Sequence, residues 1–163
     1  MQKSTRHVTI KIGQKSKKFL VREVADWKNV AELLVKNIKP GSVVALSGPL
    51  GAGKTTLTQF IARELGVKKN AISPTFALIR IYKVPRSSSQ SSSVNSYTVG
   101  RATGDVRRIV HVDAYRIESE QDALALDLFE EIAEPGTLMI IEWPENIKKL
   151  VARLKPIKVK ITY

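Results

Sequence analysis

The residues from Gly48 to Thr55, Gly-Pro-Leu-Gly-Ala-Gly-Lys-Thr, satisfy the spacing GxxxxGK[ST] of a phosphate-binding loop. Each position has a chemical task. Glycines let a backbone curl round an anion with its N–H groups pointing inward. Lysine brings a compact positive charge to the β- and γ-phosphates, and the hydroxyl after it binds magnesium. Gly48, Leu50, Gly51, Ala52, Gly53, Lys54, Thr55 and Thr56 are therefore expected to cradle ATP, with Thr56 meeting the α-phosphate. Hydrolysis also needs acids that hold Mg2+ and orient a water. Asp113 follows Ile109-Val110-His111-Val112, and Glu142 follows Leu138-Met139-Ile140-Ile141, so two carboxylates end apolar runs. In a parallel sheet the carboxyl ends of strands line the ligand crevice, which makes Lys54, Asp113 and Glu142 the catalytic candidates. Either acid suits the water-positioning role.

A phosphate loop works only between a buried strand and a helix, whose positive N-terminal end then faces the anion. Val43 to Leu46 is short, apolar and rich in β-branched residues, and Lys54 to Leu65 reads as a helix ended by Gly66. Earlier, His7 to Ile12 and Phe19 to Val21 flank a basic, Gly-containing turn and read as a hairpin. Asp26 is expected to cap a helix over Trp27 to Ile38, which Pro40-Gly41 stops. Thr75 to Tyr82 and Arg108 to Val112 read as strands. Ser119 and Asp122 open a helix whose apolar face runs through Leu124, Leu126 and Leu128 towards Pro135-Gly136. Leu138 to Ile141, a short helix over Glu145 to Arg153 and a last strand over Ile157 to Tyr163 complete the pattern. Alternating strands and helices predict an α/β fold, a three-layer sandwich of the P-loop NTPase kind with a mainly parallel central sheet. Residues at about 86–107, with their SSSQSSS tract and glycines, read as a flexible insertion within one domain spanning 1–163.

With 163 residues and 43% hydrophobic composition the chain has the makings of one globular core. No apolar run approaches the roughly 20 residues of a membrane span, and no secretory signal core stands at the N-terminus. A cytoplasmic protein is expected. Lacking cysteine, it has no disulfide, thiolate metal site or cysteine nucleophile. A net charge of +12 favours polyanionic partners such as RNA, nucleotides or acidic protein faces, met through a basic surface, against the plainer reading of a solvated, soluble exterior.

Four segments in order, GPLGAGKTT (Gly48 to Thr56), SPTF (Ser73 to Phe76), HVDAYR (His111 to Arg116) and IEWPE (Ile141 to Glu145), resemble the TsaE (YjeE) family over roughly residues 25 to 163. The resemblance implies a P-loop ATPase that supports threonylcarbamoyladenosine (t6A) modification of tRNA with the TsaB and TsaD proteins. It implies further that Thr75 lies near the γ-phosphate in a switch-like loop and that Asp113 serves hydrolysis. By the same resemblance Glu142 joins Thr55 on the magnesium side, and Trp143 lies beside the active site. The chain departs from the family in carrying Pro49 where an acid is common and in its long serine-rich excursion. It also ends soon after its last expected strand, without the C-terminal element of longer relatives. Two other readings use the same loop: a small-molecule P-loop kinase, and a non-catalytic nucleotide- or RNA-binding module. A kinase requires an acceptor pocket, for which no motif is apparent.

Overall fold

A computed structural model describes residues 5–68, 78–85 and 105–163. Seven strands form one sheet: β1 (Arg6–Ile12), β2 (Lys15–Val21), β3 (Val43–Ser47), β4 (Ile79–Lys83), β5 (Arg108–Asp113), β6 (Thr137–Glu142) and β7 (Ile157–Thr162), in the order β2-β1-β7-β3-β6-β5-β4. The four central strands, β7, β3, β6 and β5, run parallel. Both margins are antiparallel: β1 joins β7 and pairs with β2, and β4 pairs with β5. The parallel core thus agrees with the sequence expectation, and at one margin the short turn at Gly13 (φ 57°) can join β1 and β2 only as antiparallel neighbours.

Side chains alternate across a strand, so β3 and β6 feed two separate cores. Val44, Leu46, Leu138 and Ile140 pack with Val30, Leu34, Leu57 and Ile61 from α1 (Trp27–Asn37) and α2 (Lys54–Glu64). Val43, Ala45, Met139 and Ile141 face the other way, onto α3 (Glu120–Leu124), α4 (Leu128–Ala133) and α5 (Lys148–Arg153), meeting Ala123, Leu128 and Leu150. The result is the expected helix–sheet–helix sandwich. Leu57 is fully buried, and its truncation to alanine would cost about 2–5 kcal/mol.

Local details depart from the sequence reading in two places. Asp26 does not cap α1 with its side chain; its carboxylate accepts from the N–H groups of Arg22 (2.8 Å) and Glu23 (3.0 Å), bonds that hold its pKa below the usual value. The apolar helix after Ser119 is two helices, because Asp127 adopts a left-handed conformation (φ 48°) between them and Leu124 is left exposed. Ser119 caps α3 as expected, its hydroxyl oxygen accepting from the Asp122 N–H at 3.1 Å. Of the insertion expected over 86–107, only 105–107 are described; there Val106 is buried and the Arg107 N–H donates to Gly136. No described helix is long and apolar enough to cross a membrane.

Candidate nucleotide site

The loop between β3 and α2 is shaped by two contacts that exclude side chains. Gly48 adopts φ 149°, and a Cβ there would lie 2.5 Å from the carbonyl oxygen of Ile161 in β7. Gly53 adopts φ 107°, and a Cβ there would overlap the six-membered ring of Trp27, itself only 2% exposed. Only glycine meets both conditions. Gly53 is the N-cap of α2, and its carbonyl accepts the N–H of Leu57 at 2.9 Å. The N–H groups of Lys54, Thr55 and Thr56 fall in the first turn, where a helix offers them no acceptor of its own. They form, with the helix dipole, a donor set for anionic oxygen.

Lys54 is 5% exposed. Its Nζ donates to the carbonyls of Gly48 (2.7 Å) and Pro49 (2.9 Å) and stands 3.7 Å from the centre of the Trp143 ring. Burial pushes its pKa below the usual 10.5, against the opposing pull of Glu142, Glu145 and Asp113. An incoming polyphosphate would supply the negative charge that this ammonium lacks.

Glu142 ends β6 with both carboxylate oxygens engaged. Thr55 Oγ1 donates to Oε2 at 3.0 Å, and His111 Nε2 lies 2.8 Å from Oε1. His111 is wholly buried and Glu142 is 3% exposed, so the carboxylate is held in a fixed orientation. A threonine hydroxyl that spends its proton on Glu142 turns its lone pairs outward, as a metal ligand must. Among the described residues no cluster of three or more His, Asp or Glu side chains could hold a metal ion. Magnesium fits nevertheless: it keeps several waters, takes one or two protein oxygens and completes its octahedron with substrate phosphates. Thr55 and Glu142 supply that donor set.

Asp113 ends β5 directly beside Glu142 in the parallel register. It is 5% exposed, and its Oδ1 accepts the Tyr115 N–H at 3.1 Å, starting a short 3-10 turn over Ala114–Arg116. Asn146 fastens that turn from the far side, its side-chain amide donating to the carbonyls of Ala114 (2.9 Å) and Tyr115 (3.2 Å). The Tyr115 ring leans on Trp143, with centroids 4.9 Å apart. Trp143 has a left-handed backbone (φ 59°), which turns the chain sharply out of β6 at the rim of the cleft. Its ring is partly buried against the second core, so the residue is both a packing aromatic and a wall of the site.

A cleft of about 390 Å³ gathers these groups; Leu50, Gly51, Gly53, Lys54, Thr55 and Thr56 line one side, and Asp113, Tyr115, Glu142 and Trp143 the other. Two expected cradle residues lie behind it: Gly48 abuts β7, and the Ala52 side chain is buried in the first core. Thr75, with the rest of SPTF, lies outside the described residues. Sequence reasoning assigned no role to His111 or Tyr115. His111 was within reach of it, since it lies two residues before Asp113 on the same strand and therefore on the same face. Tyr115 follows the strand, where periodicity gives no direction.

Comparison with known proteins agrees with this arrangement. The family described as "Threonylcarbamoyl adenosine biosynthesis protein TsaE" matches residues 21–163. A protein of Rickettsia prowazekii named tRNA threonylcarbamoyladenosine biosynthesis protein TsaE is 40% identical over 127 residues, covering 77% of this chain and 73% of its own. Proteins of the same name from Streptomyces coelicolor (33% identity; 73% of this chain, 68% of theirs) and Bacillus subtilis (32%; 76% and 64%) also match. The crystal structure of Bacillus subtilis YdiB superposes with a TM-score of 0.56 at 23% identity, covering 96% of this chain and 76% of that one, which shows the shared fold. With a family match over residues 21–163 and relatives 32–40% identical, the protein belongs to the TsaE family.

Proposed function

We propose that the chain binds and hydrolyses ATP with magnesium, and that this turnover supports t6A modification of tRNA in the cytoplasm together with TsaB and TsaD. The observation that carries the reading is the chain of contacts from Thr55 through Glu142 to His111, next to a buried, charge-poor Lys54 at the mouth of a phosphate loop. The names of the relatives support the tRNA modification; the partnership rests on family membership.

In this reading the amides at the start of α2 and Lys54 Nζ bind the phosphate oxygens, and Lys54 exchanges its two carbonyl contacts for them. Thr55 and Glu142 would hold the metal, which would supply charge neutralisation at the phosphates. Asp113, at the end of β5 beside Glu142, is the acid proposed to orient the attacking water, while Glu142 is committed to Thr55 and His111. Tyr115 and Trp143 wall the cleft beside these two acids. Thr75 is retained as the γ-phosphate contact on the strength of the family resemblance.

Phosphate release, measured with and without TsaB and TsaD, tests the proposal. Release that needs Mg2+ and rises with the partners supports it. A phosphorylated small molecule in place of free phosphate would identify a kinase, and no release under either condition would leave a binding module.

A further inference from the structure

The sheet is covered unevenly. On the side where α3, α4 and α5 pack, helical cover stops at β7: Val43 and Ala45 of β3 are buried there, while Lys158 and Lys160 of β7 are exposed. Beyond them, β1 and β2 present the same side to solvent. Their opposite side is the one that packs inward, through Val8, Ile10, Val21, Val159 and Ile161. Strand register fixes the exposed residues in rows. Lys18 of β2 lies across from Thr9 of β1, which lies across from Lys160 of β7; Ser16 lies across from Lys11, which lies across from Lys158. The next row is Leu20, His7 and Thr162.

The strand rows of this face therefore carry four exposed lysines and a histidine and not one carboxylate; Glu145, on the turn after β6, borders the hollow beside Lys158 at its inner edge. None of the four lysines makes an ion pair among the described residues, whereas Lys28, Arg107 and Arg108 elsewhere each do. Lys11 and Lys158 stand directly opposite each other, an arrangement that destabilises a sheet by like-charge repulsion. A merely soluble surface would intersperse the two signs. Rows spaced by ~4.8 Å across strands and ~6.6 Å along them offer a flat lattice of ammonium groups to a repeating anion.

We propose that the open face of β2, β1 and β7 is a docking platform for the phosphate backbone of RNA, with Lys11, Lys18, Lys158 and Lys160 as its contacts. The choice of RNA over another polyanion rests on the tRNA function proposed above; the geometry itself calls for closely spaced phosphates. The contacts are to backbone, so binding is expected to be insensitive to sequence and strongly dependent on salt.

The test is fluorescence anisotropy with a labelled, unmodified tRNA transcript across a salt series, without ATP or partner proteins. The protein carrying Lys11→Gln, Lys18→Gln, Lys158→Gln and Lys160→Gln is compared with wild type. A control removes the same charge from other surfaces through Lys36→Gln, Lys39→Gln, Lys68→Gln and Lys83→Gln. Four lost phosphate contacts should flatten the slope of log affinity against log salt by about 3 and weaken binding at low salt by at least tenfold, with the control near wild type. Unaltered thermal melting and unaltered basal phosphate release would show that the platform variant is folded. Equal losses in the platform variant and the control would overturn the proposal, as would a wild-type protein that binds no tRNA. A platform variant that keeps its RNA affinity and loses association with TsaB or TsaD would also overturn it, in favour of an acidic protein partner. Since RNA binding is read without nucleotide, failure of ATP hydrolysis leaves this measurement standing.

Discussion

Substituting Gly53→Ala tests how the phosphate loop holds its shape. Two costs add. An alanine at φ 107° suffers backbone strain of about 1–2 kcal/mol. Its methyl group must also displace the buried Trp27 ring, an overpacking term of about 1–3 kcal/mol. A total of roughly 2–5 kcal/mol lowers Tm by about 4–20 °C for a chain of this size. Trp27→Leu alone loses packing worth on the order of 2–4 kcal/mol, somewhat less than full truncation. Combining the two removes the collision and leaves the strain. The double variant should therefore be more stable than the sum of the single changes implies, by about 1–3 kcal/mol. ATP affinity should follow the same order, because the methyl group displaces the first turn of α2 and the amides it carries. The assays are thermal or urea unfolding of all four proteins and nucleotide titration of those that fold. Strict additivity would refute the claim that the Trp27 ring is what demands glycine at this position.

Glu142→Gln should raise the magnesium concentration needed for phosphate release, since it removes charge from the metal side while keeping a hydrogen-bond acceptor for Thr55; an unchanged requirement would move that role to Asp113. His111→Gln should raise it less, through a loosened Glu142, with little effect on ATP affinity in the absence of metal. Asp113→Asn should bind ATP and hydrolyse it at least about tenfold more slowly, a barrier increase of about 1.4 kcal/mol, and single-turnover phosphate release with the partners present checks it. Burial lowers the Lys54 pKa, so its proton leaves the free protein below pH 10.5. ATP affinity should fall as pH rises through that lowered pKa, with a proton taken up on binding. In the same window the unfolded chain holds the proton that the folded one has shed, so this lysine contributes increasing stability towards alkaline pH. Calorimetry in buffers of different ionisation heat reads the proton uptake, and Lys54→Met should abolish it.

Strands β3, β5 and β6 were legible in the sequence because a central parallel strand is buried on both faces and reads as an unbroken apolar run. The extent of β2 was not: it begins at Lys15, but its lysines carry no apolar alternation and only Phe19 to Val21 announced a strand. The split between α3 and α4 was also hidden, because Leu124, Leu126 and Leu128 keep their spacing through a break that lies in the backbone of Asp127. At the site, spacing pointed to Lys54 and Thr55 and strand ends pointed to Asp113 and Glu142, and the structure brings these four to one cleft. What the sequence could not express was register. The neighbouring of Asp113 and Glu142, the grip of His111 on Glu142 and the stacking of Tyr115 on Trp143 all arise between strands or after them.

The pairing of β1 with β7, which sets His7 against Thr162, joins the first described strand to the last. Closing so long a stretch of chain is entropically costly and comes late, when most other contacts already hold the ends near one another. During synthesis the β1–β2 hairpin emerges before β7 and must wait for it before it has a sheet to join. A lone hairpin of this kind is marginally stable in water, and its inward face, with Val8, Ile10 and Val21, stays uncovered meanwhile. The lysines on its outer face would then act as gatekeepers, their mutual repulsion discouraging two nascent hairpins from pairing edge to edge.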